Sequence, residues 1–300
     1  MQVCRCLTCR SVLGHGAGCG VTVRQEYNPR PLRIVPVPVH FIHTSHIADK
    51  TIRVSGPLAH HLRDVLRCRV GETLVFVDEQ PRRYTATVTE RTPSDVTCVV
   101  QKEEARPPEM ARHLHLGMAM LKGERMDWAI QKATELGAAR ITPLVTTRTV
   151  ARPIPSRTPH QQQRWTKIAE EAASQVGRWE IPVVDLPQAF PDFLKNDLAG
   201  FRLLFWEEAT SSDGHSVIGP AVAASPREGV VLVGPEGGWE KAEVEAAVRC
   251  RFQIASLGPR IVRAETAVLA ALALVQYESD PWVNPMLGSH ASQMIEGRTV

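Results

Sequence analysis

Two segments toward the C-terminal end hold the residues best suited to chemistry. The first is Val230-Val231-Leu232-Val233-Gly234-Pro235-Glu236-Gly237-Gly238-Trp239. The second is Ser256-Leu257-Gly258-Pro259-Arg260-Ile261-Val262-Arg263-Ala264-Glu265-Thr266. Each reads as a short buried strand or its exit, then a Gly/Pro bend, then a helix start. The first bend is neither a Walker loop nor a dinucleotide fingerprint, because its Gly spacing is wrong for both and the Lys is missing. Three Gly and one Pro make a tight, stiff turn with outward-facing main-chain N–H and C=O groups. Such a turn can hydrogen-bond the edge of a flat base as readily as hold a phosphate; the plain alternative is an ordinary strand-to-helix turn.

The second bend is more specific. Arg260 and Arg263 bracket Ile261-Val262, and Glu265 opens a helix. Arg263 would stabilise charge on a substrate, while Glu265 would orient it or take a proton. The alternative is that Glu265 complements the helix dipole and Arg263 is its surface ion-pair partner, worth about 0–1 kcal/mol. Two such bends, side by side at the ends of parallel strands, would hold a small molecule where open α/β sheets place their ligands.

Weaker candidates lie elsewhere. Lys122-Gly123-Glu124-Arg125-Met126-Asp127 is a charged loop ahead of a helix, suited either to a solvated cap or to phosphate contact. His40, His43, His46, His60 and His61 have no clean metal spacing. Cys4, Cys6, Cys9 and Cys19 include one Cys-x-x-Cys pair but lack the second pair of a zinc site. No metal is expected.

The elements that must position these residues fall into two patterns. From about Phe41 to Lys102, short β-branched runs (Thr73–Val77, Tyr84–Val88, Val96–Val100) alternate with turns, and one helix spans His60–Arg67; this predicts a small β-barrel. From His113 onward strands and helices alternate. Strands are expected at His113–Met120, Ile141–Val145, Leu203–Trp206 and Val230–Val233. Helices are expected at Met126–Leu136, along the Trp165–Val176 stripe, at Trp239–Arg249 and at Thr266–Tyr277, the last apolar on nearly every face and so fully buried. The alternation implies a parallel sheet with helices on both sides. The organisation is thus an extension without a core at 1–35, expected to be disordered, a β domain at 36–108, an α/β domain at 109–282 and a loose tail at 283–300. Translation could also begin further on, near Val39.

Composition narrows the function classes. Of 300 residues, 43% are hydrophobic, enough for a real core, and the longest apolar run, Ala267–Val275, is far shorter than a membrane span. The first twenty residues lack the apolar stretch of a signal peptide, so the reading is cytoplasmic. The net charge is +3; residues 1–35 carry +4, and the remainder is close to neutral. Any nucleic-acid surface must then be a local patch.

With these residues in view, the chain resembles the RsmE-type 16S ribosomal RNA uridine N3-methyltransferases of the SPOUT, or trefoil-knot, superfamily. The matching stretches are His61–Arg67, Lys122–Asp127, Gln131–Gly137, Ile141–Leu144, Gln175–Arg178, Gly234–Gly238 and Leu257–Thr266, in family order over about residues 40–280. The resemblance implies a PUA-like RNA-binding barrel followed by a SPOUT α/β domain with a C-terminal knot. It implies S-adenosylmethionine as cofactor, held by Gly234, Pro235, Gly237, Gly238, Leu257, Gly258, Arg260 and Ile261. It implies a homodimer that methylates uracil N3 of one uridine in the decoding region of 16S ribosomal RNA, in naked RNA or the small ribosomal subunit. Arg263 and Glu265 would be catalytic. Arg63, Arg67, Lys122, Arg125, Arg148 and Arg178 would face RNA or the cofactor mouth. The family usually has Glu-Gln where this chain has Ser174-Gln175. Two other readings stay open: a knotted methylase of transfer RNA or of a ribose 2′-hydroxyl, and an RNA-binding assembly factor without catalysis.

Overall fold

The computed structural model describes residues 38–107, 113–209, 217–225 and 227–279. The expectations for 1–35, for the Cys cluster within it and for the tail fall outside the described residues, all of which belong to one compact unit beginning at Pro36.

The first lobe is a six-stranded sheet of β1 (Val39–Phe41), β2 (Ile47–Ala48), β3 (Thr51–Ser55), β4 (Thr73–Val77), β5 (Arg82–Arg91) and β6 (Asp95–Ala105), in the order β1-β4-β5-β6-β3-β2. Period-2 alternation makes the sheet one-sided: Leu74 and Phe76, Tyr84, Ala86 and Val88, and Val96 and Cys98 all point into one core. Leu62 seals that core from the segment after β3. That segment starts with Pro57 in the first turn of α1 (Gly56–His60) and widens into a π-turn over His61–Val65. The helix expected at His60–Arg67 therefore begins four residues early and is irregular. Arg67 ends it in the left-handed region at φ 55°.

The second lobe is an all-parallel sheet. Its elements are β7 (His113–Ala119), α2 (Glu124–Glu135), β8 (Arg140–Val145), α3 (Thr158–Gln175), β9 (Val183–Val184), β10 (Gln188–Ala189), α4 (Phe190–Phe193), β11 (Phe201–Phe205), α5 (Ile218–Ala224), β12 (Glu228–Val233), α6 (Lys241–Arg249), β13 (Gln253–Ala255) and α7 (Ala264–Ser279). The strand order is β10-β8-β7-β12-β11-β13, with β9 also on β8. Burial on both faces explains the unbroken apolar strands. Val231 and Val233 join a core with α2, α3, α5 and α7, while Val230 and Leu232 join one with Phe190, Trp239 and α6.

One expectation is corrected. The last helix is not fully buried, since Leu274 is 39% and Tyr277 53% exposed. The helix is apolar all round, but only the face carrying Val268, Ala271, Leu272 and Val275 meets the sheet and its neighbouring helices.

The lobes are joined through the segment after α3. Ser174 donates its hydroxyl to the Val39 carbonyl. Arg83 reaches from β5 to the Gly177 carbonyl (2.7 Å) and lies 4.0 Å over the Trp179 ring. Arg106 pairs with Glu180 at 2.6 Å.

Candidate active site

The two bends come together. β11 lies between β12 and β13, with Phe205 in register with both Val233 and Ala255. The exits of all three strands are therefore level. They enclose a cavity of about 550 Å³ lined by Phe205–Glu207, Val233–Gly238, Leu257, Gly258, Arg260–Ala264, Ala267 and Arg125. The size is within the usual range for a small-molecule pocket.

Local sequence dictates the shape of the first bend. The Gly238 N–H donates to the Pro235 carbonyl at 2.9 Å, closing a turn. Gly238 has φ +71°, and a Cβ there would lie 1.7 Å from Oε1 of Glu207. A Cβ on Gly234 would strike the Trp239 ring at 2.9 Å. Trp239 itself is buried against Phe190 and donates Nε1–H to the Phe205 carbonyl at 3.0 Å. It belongs to the bend rather than to the helix, as α6 starts at Lys241 behind a reciprocal cap of Glu240 and Glu243. Glu243 also accepts from the Thr147 N–H at 2.9 Å, fastening the loop after β8 to this bend. In the second bend, Gly258 has φ +94°. Arg263 caps α7 by offering its carbonyl to the Ala267 N–H at 2.8 Å.

All eight residues expected at the cofactor line the cavity, as does Arg263. Arg260 and Arg263 are exposed, and neither side chain makes a hydrogen bond or ion pair with another described residue, so the Arg263–Glu265 pair does not form. Glu265 is not part of the lining; its Oε2 is buried without a hydrogen-bond partner. Arg125 lines the cavity and pairs with Glu236 at 3.2 Å. Arg148 reaches the same bend, donating to the Gly237 carbonyl at 3.0 Å. Lys122 and Arg67 are exposed.

Two of the expected RNA-facing cations are bonded to the protein itself. Arg178 donates Nη1–H to the carbonyls of Thr134 (2.8 Å) and Ala138 (2.7 Å), closing the C-terminal end of α2. Burial lowers its pKa to about 10. Arg63 bonds to Asp64 and to the Pro93 carbonyl. Ser174, where the family usually has an acid, points at β1 and not at the cavity.

The sequence reading missed Trp206 and Glu207. They follow a buried apolar strand and stand at its carboxyl end, so the strand-exit rule could have found them. It also missed Ala264 and Ala267, small residues that give the cavity room.

Among the described residues, no group of three His, Cys, Asp or Glu could hold a metal, and no helix is long and apolar enough to cross a membrane. The cavity instead suits an uncharged flat ring with a polar tail. Its wall combines a Gly-rich main chain, Phe205, Leu257 and Val262 with free guanidinium groups at Arg260 and Arg263.

Comparison with known proteins agrees with this chemistry. Residues 108–276 match the family described as RNA methyltransferase domain. Residues 54–101 match the RNA methyltransferase PUA domain. The chain is 30% identical to Ribosomal RNA small subunit methyltransferase E of Bacillus subtilis over 234 residues, covering 77% of this chain and 91% of that protein. The Synechocystis protein of the same name is 31% identical, covering 76% and 74%. The Neisseria gonorrhoeae methyltransferase E, solved bound to S-adenosyl methionine, superposes with a TM-score of 0.68 at 27% identity, covering 80% of this chain and 97% of that one. A Legionella pneumophila structure in complex with the bound cofactor SAM superposes at 0.69 and 26% identity, covering 81% and 98%. Matched over more than half its length by the family and over most of the length of these relatives, the chain belongs to the ribosomal RNA small subunit methyltransferase E family of RNA methyltransferases.

Proposed function

We propose that this protein transfers the methyl group of S-adenosylmethionine to uracil N3 of one uridine in the decoding region of 16S ribosomal RNA. The observation that carries the proposal is that both glycine bends line one cavity with an unpaired Arg263 at its rim. The cofactor supplies an electrophilic methyl group on a sulfonium and departs as a neutral thioether. The residues here bind and orient it. Main-chain groups of Gly234–Gly238 and of Leu257–Gly258 hold the adenosine part, and Arg260 takes the carboxylate end.

Uracil N3 is a weak acid on the pairing edge, so the base must leave any pair and lose a proton before it can attack. Arg263 stands beside the uracil oxygens and stabilises the anion that forms as the proton leaves. Glu265, on the first turn of α7 with its Oε2 buried outside the cavity lining, would have to turn into the cavity to orient this edge and accept the proton. Much of the acceleration is positioning, since the methyl carbon must lie in line with N3. Arg67, Lys122, Arg125 and Arg148 form the RNA-facing set. Arg63 and Arg178 are assigned to holding the fold.

The same reading makes the protein a cytoplasmic homodimer with a knotted C-terminal segment, built around Gly234–Gly238 and Leu257–Thr266. Its substrate is 16S ribosomal RNA or the small ribosomal subunit. Arg263→Ala tests the proposal. Methyl transfer should fall by two to three orders of magnitude, as for loss of a charge-stabilising donor, while the thermal midpoint stays within a few degrees. Near-normal turnover by this variant would remove Arg263 from the chemistry.

A further inference from the structure

We propose that the Glu207 carboxylate sets the preference of this cavity for the cationic methyl donor over the neutral product, an inference that rests on the cavity being the donor site. The placement follows from topology. β11 is paired on one side with β12 and on the other with β13, so the residues after Phe205 emerge between the two glycine bends. Trp206 is held level with β13 by its N–H bond to the Ala255 carbonyl at 3.0 Å. The next side chain, Glu207, lines the cavity, and its Oε1 occupies the space that a Cβ on Gly238 would need. Gly238 is glycine because of its left-handed φ, and its missing side chain leaves the space that the Glu207 carboxylate occupies.

The charges in the cavity single out this group. The other acid in the lining, Glu236, is paired with Arg125. Glu207 has no ion pair or side-chain hydrogen bond with another described residue. Of the two acids in the lining it is the one without a charged partner among the described residues.

Methyl transfer breaks the sulfur–methyl bond, leaves its electron pair on sulfur and removes one positive charge from the bound ligand. A carboxylate in the cavity wall stabilises the ligand before this change more than after it. The expected consequence is tight donor binding followed by easier release of the product.

The test is a calorimetric titration of S-adenosylmethionine and S-adenosylhomocysteine into the full-length protein and its Glu207→Gln and Glu207→Asp variants. Thermal unfolding of each variant serves as the folding control. Glu207→Gln should raise the donor Kd about three- to tenfold, a range set by partial solvent screening of the carboxylate. The product Kd should change by less than about twofold by the same reasoning, because the product carries no sulfonium. Glu207→Asp should recover most of the donor affinity. An equal loss for both ligands would show that Glu207 reads a group common to them, and an unchanged ratio would show that it reads nothing; either overturns the proposal. Failure of the unaltered protein to bind the donor would instead overturn the donor-site reading and this inference with it.

Discussion

At the residue scale, the binding site depends on which positions tolerate a side chain. Gly238 does not: its φ is +71°, in the left-handed region that L side chains rarely adopt. Gly238→Val should therefore cost about 1–3 kcal/mol of backbone strain and lower donor affinity more than tenfold. Calorimetry on the folded variant checks this, and unchanged affinity would remove the first bend from the binding site. The glycine bends were legible in the sequence because Gly-Pro-Glu-Gly-Gly and Gly-Pro-Arg follow apolar strands, and backbone conformation is a local property. Glu207 was legible only as a strand-exit residue. Its importance comes from the side-by-side placement of β11 with β12 and β13, which no local pattern encodes. Arg178, expected near RNA or the cofactor mouth only from the family resemblance, closes the open carbonyls at the end of α2.

At the scale of elements, the long strands and helices were legible from their period. α2 and α3 extend beyond the expected limits at their N-terminal ends. β9, β10, β13 and α4 went unseen, since runs of two to four residues carry no period. Two strands hold histidines that make the fold sensitive to acid. His40 of β1 is buried beside Phe76 and His61, and His115 of β7 sits over Phe193. Burial lowers both pKa values from the usual 6.5 to about 4, with His61 adding to the effect on His40 and Arg140 on His115. His115 Nε2 is 2.7 Å from the Thr142 hydroxyl, which itself donates to Asp185; the ring must therefore donate from Nε2. The unfolded chain takes up protons below pH 6.5 that the folded chain refuses until about pH 4. Stability is thus fully present above pH 6.5 and is lost as pH falls toward 4, by up to about 3 kcal/mol per group. Urea unfolding across this range should show the loss, and His40→Phe should reduce it. An identical pH dependence in that variant would contradict the assignment.

At the scale of the whole molecule, the parallel sheet gathers three strand exits into one cavity, and the β lobe is fixed to it by Arg83, Arg106 and Ser174. The fold class was legible because alternating strands and helices leave few topologies. The exposed side of α7 was not, because a helix apolar on every face gives no sign of which face remains uncovered. Leu274 and Tyr277 there are exposed apolar side chains, at which we propose the homodimer contact. Sedimentation should find a dimer for the unaltered protein and a folded monomer for a Leu274→Asp, Tyr277→Asp variant; a dimer in both would place the contact elsewhere.

The most direct measurement of the central claim is nucleoside mass spectrometry of 16S ribosomal RNA after reaction with the purified protein and S-adenosylmethionine. The substrate is taken from a strain lacking the protein. One new N3-methyluridine is expected with the unaltered protein and none with Arg263→Ala. A methyl group on ribose, on another base or on transfer RNA would contradict it.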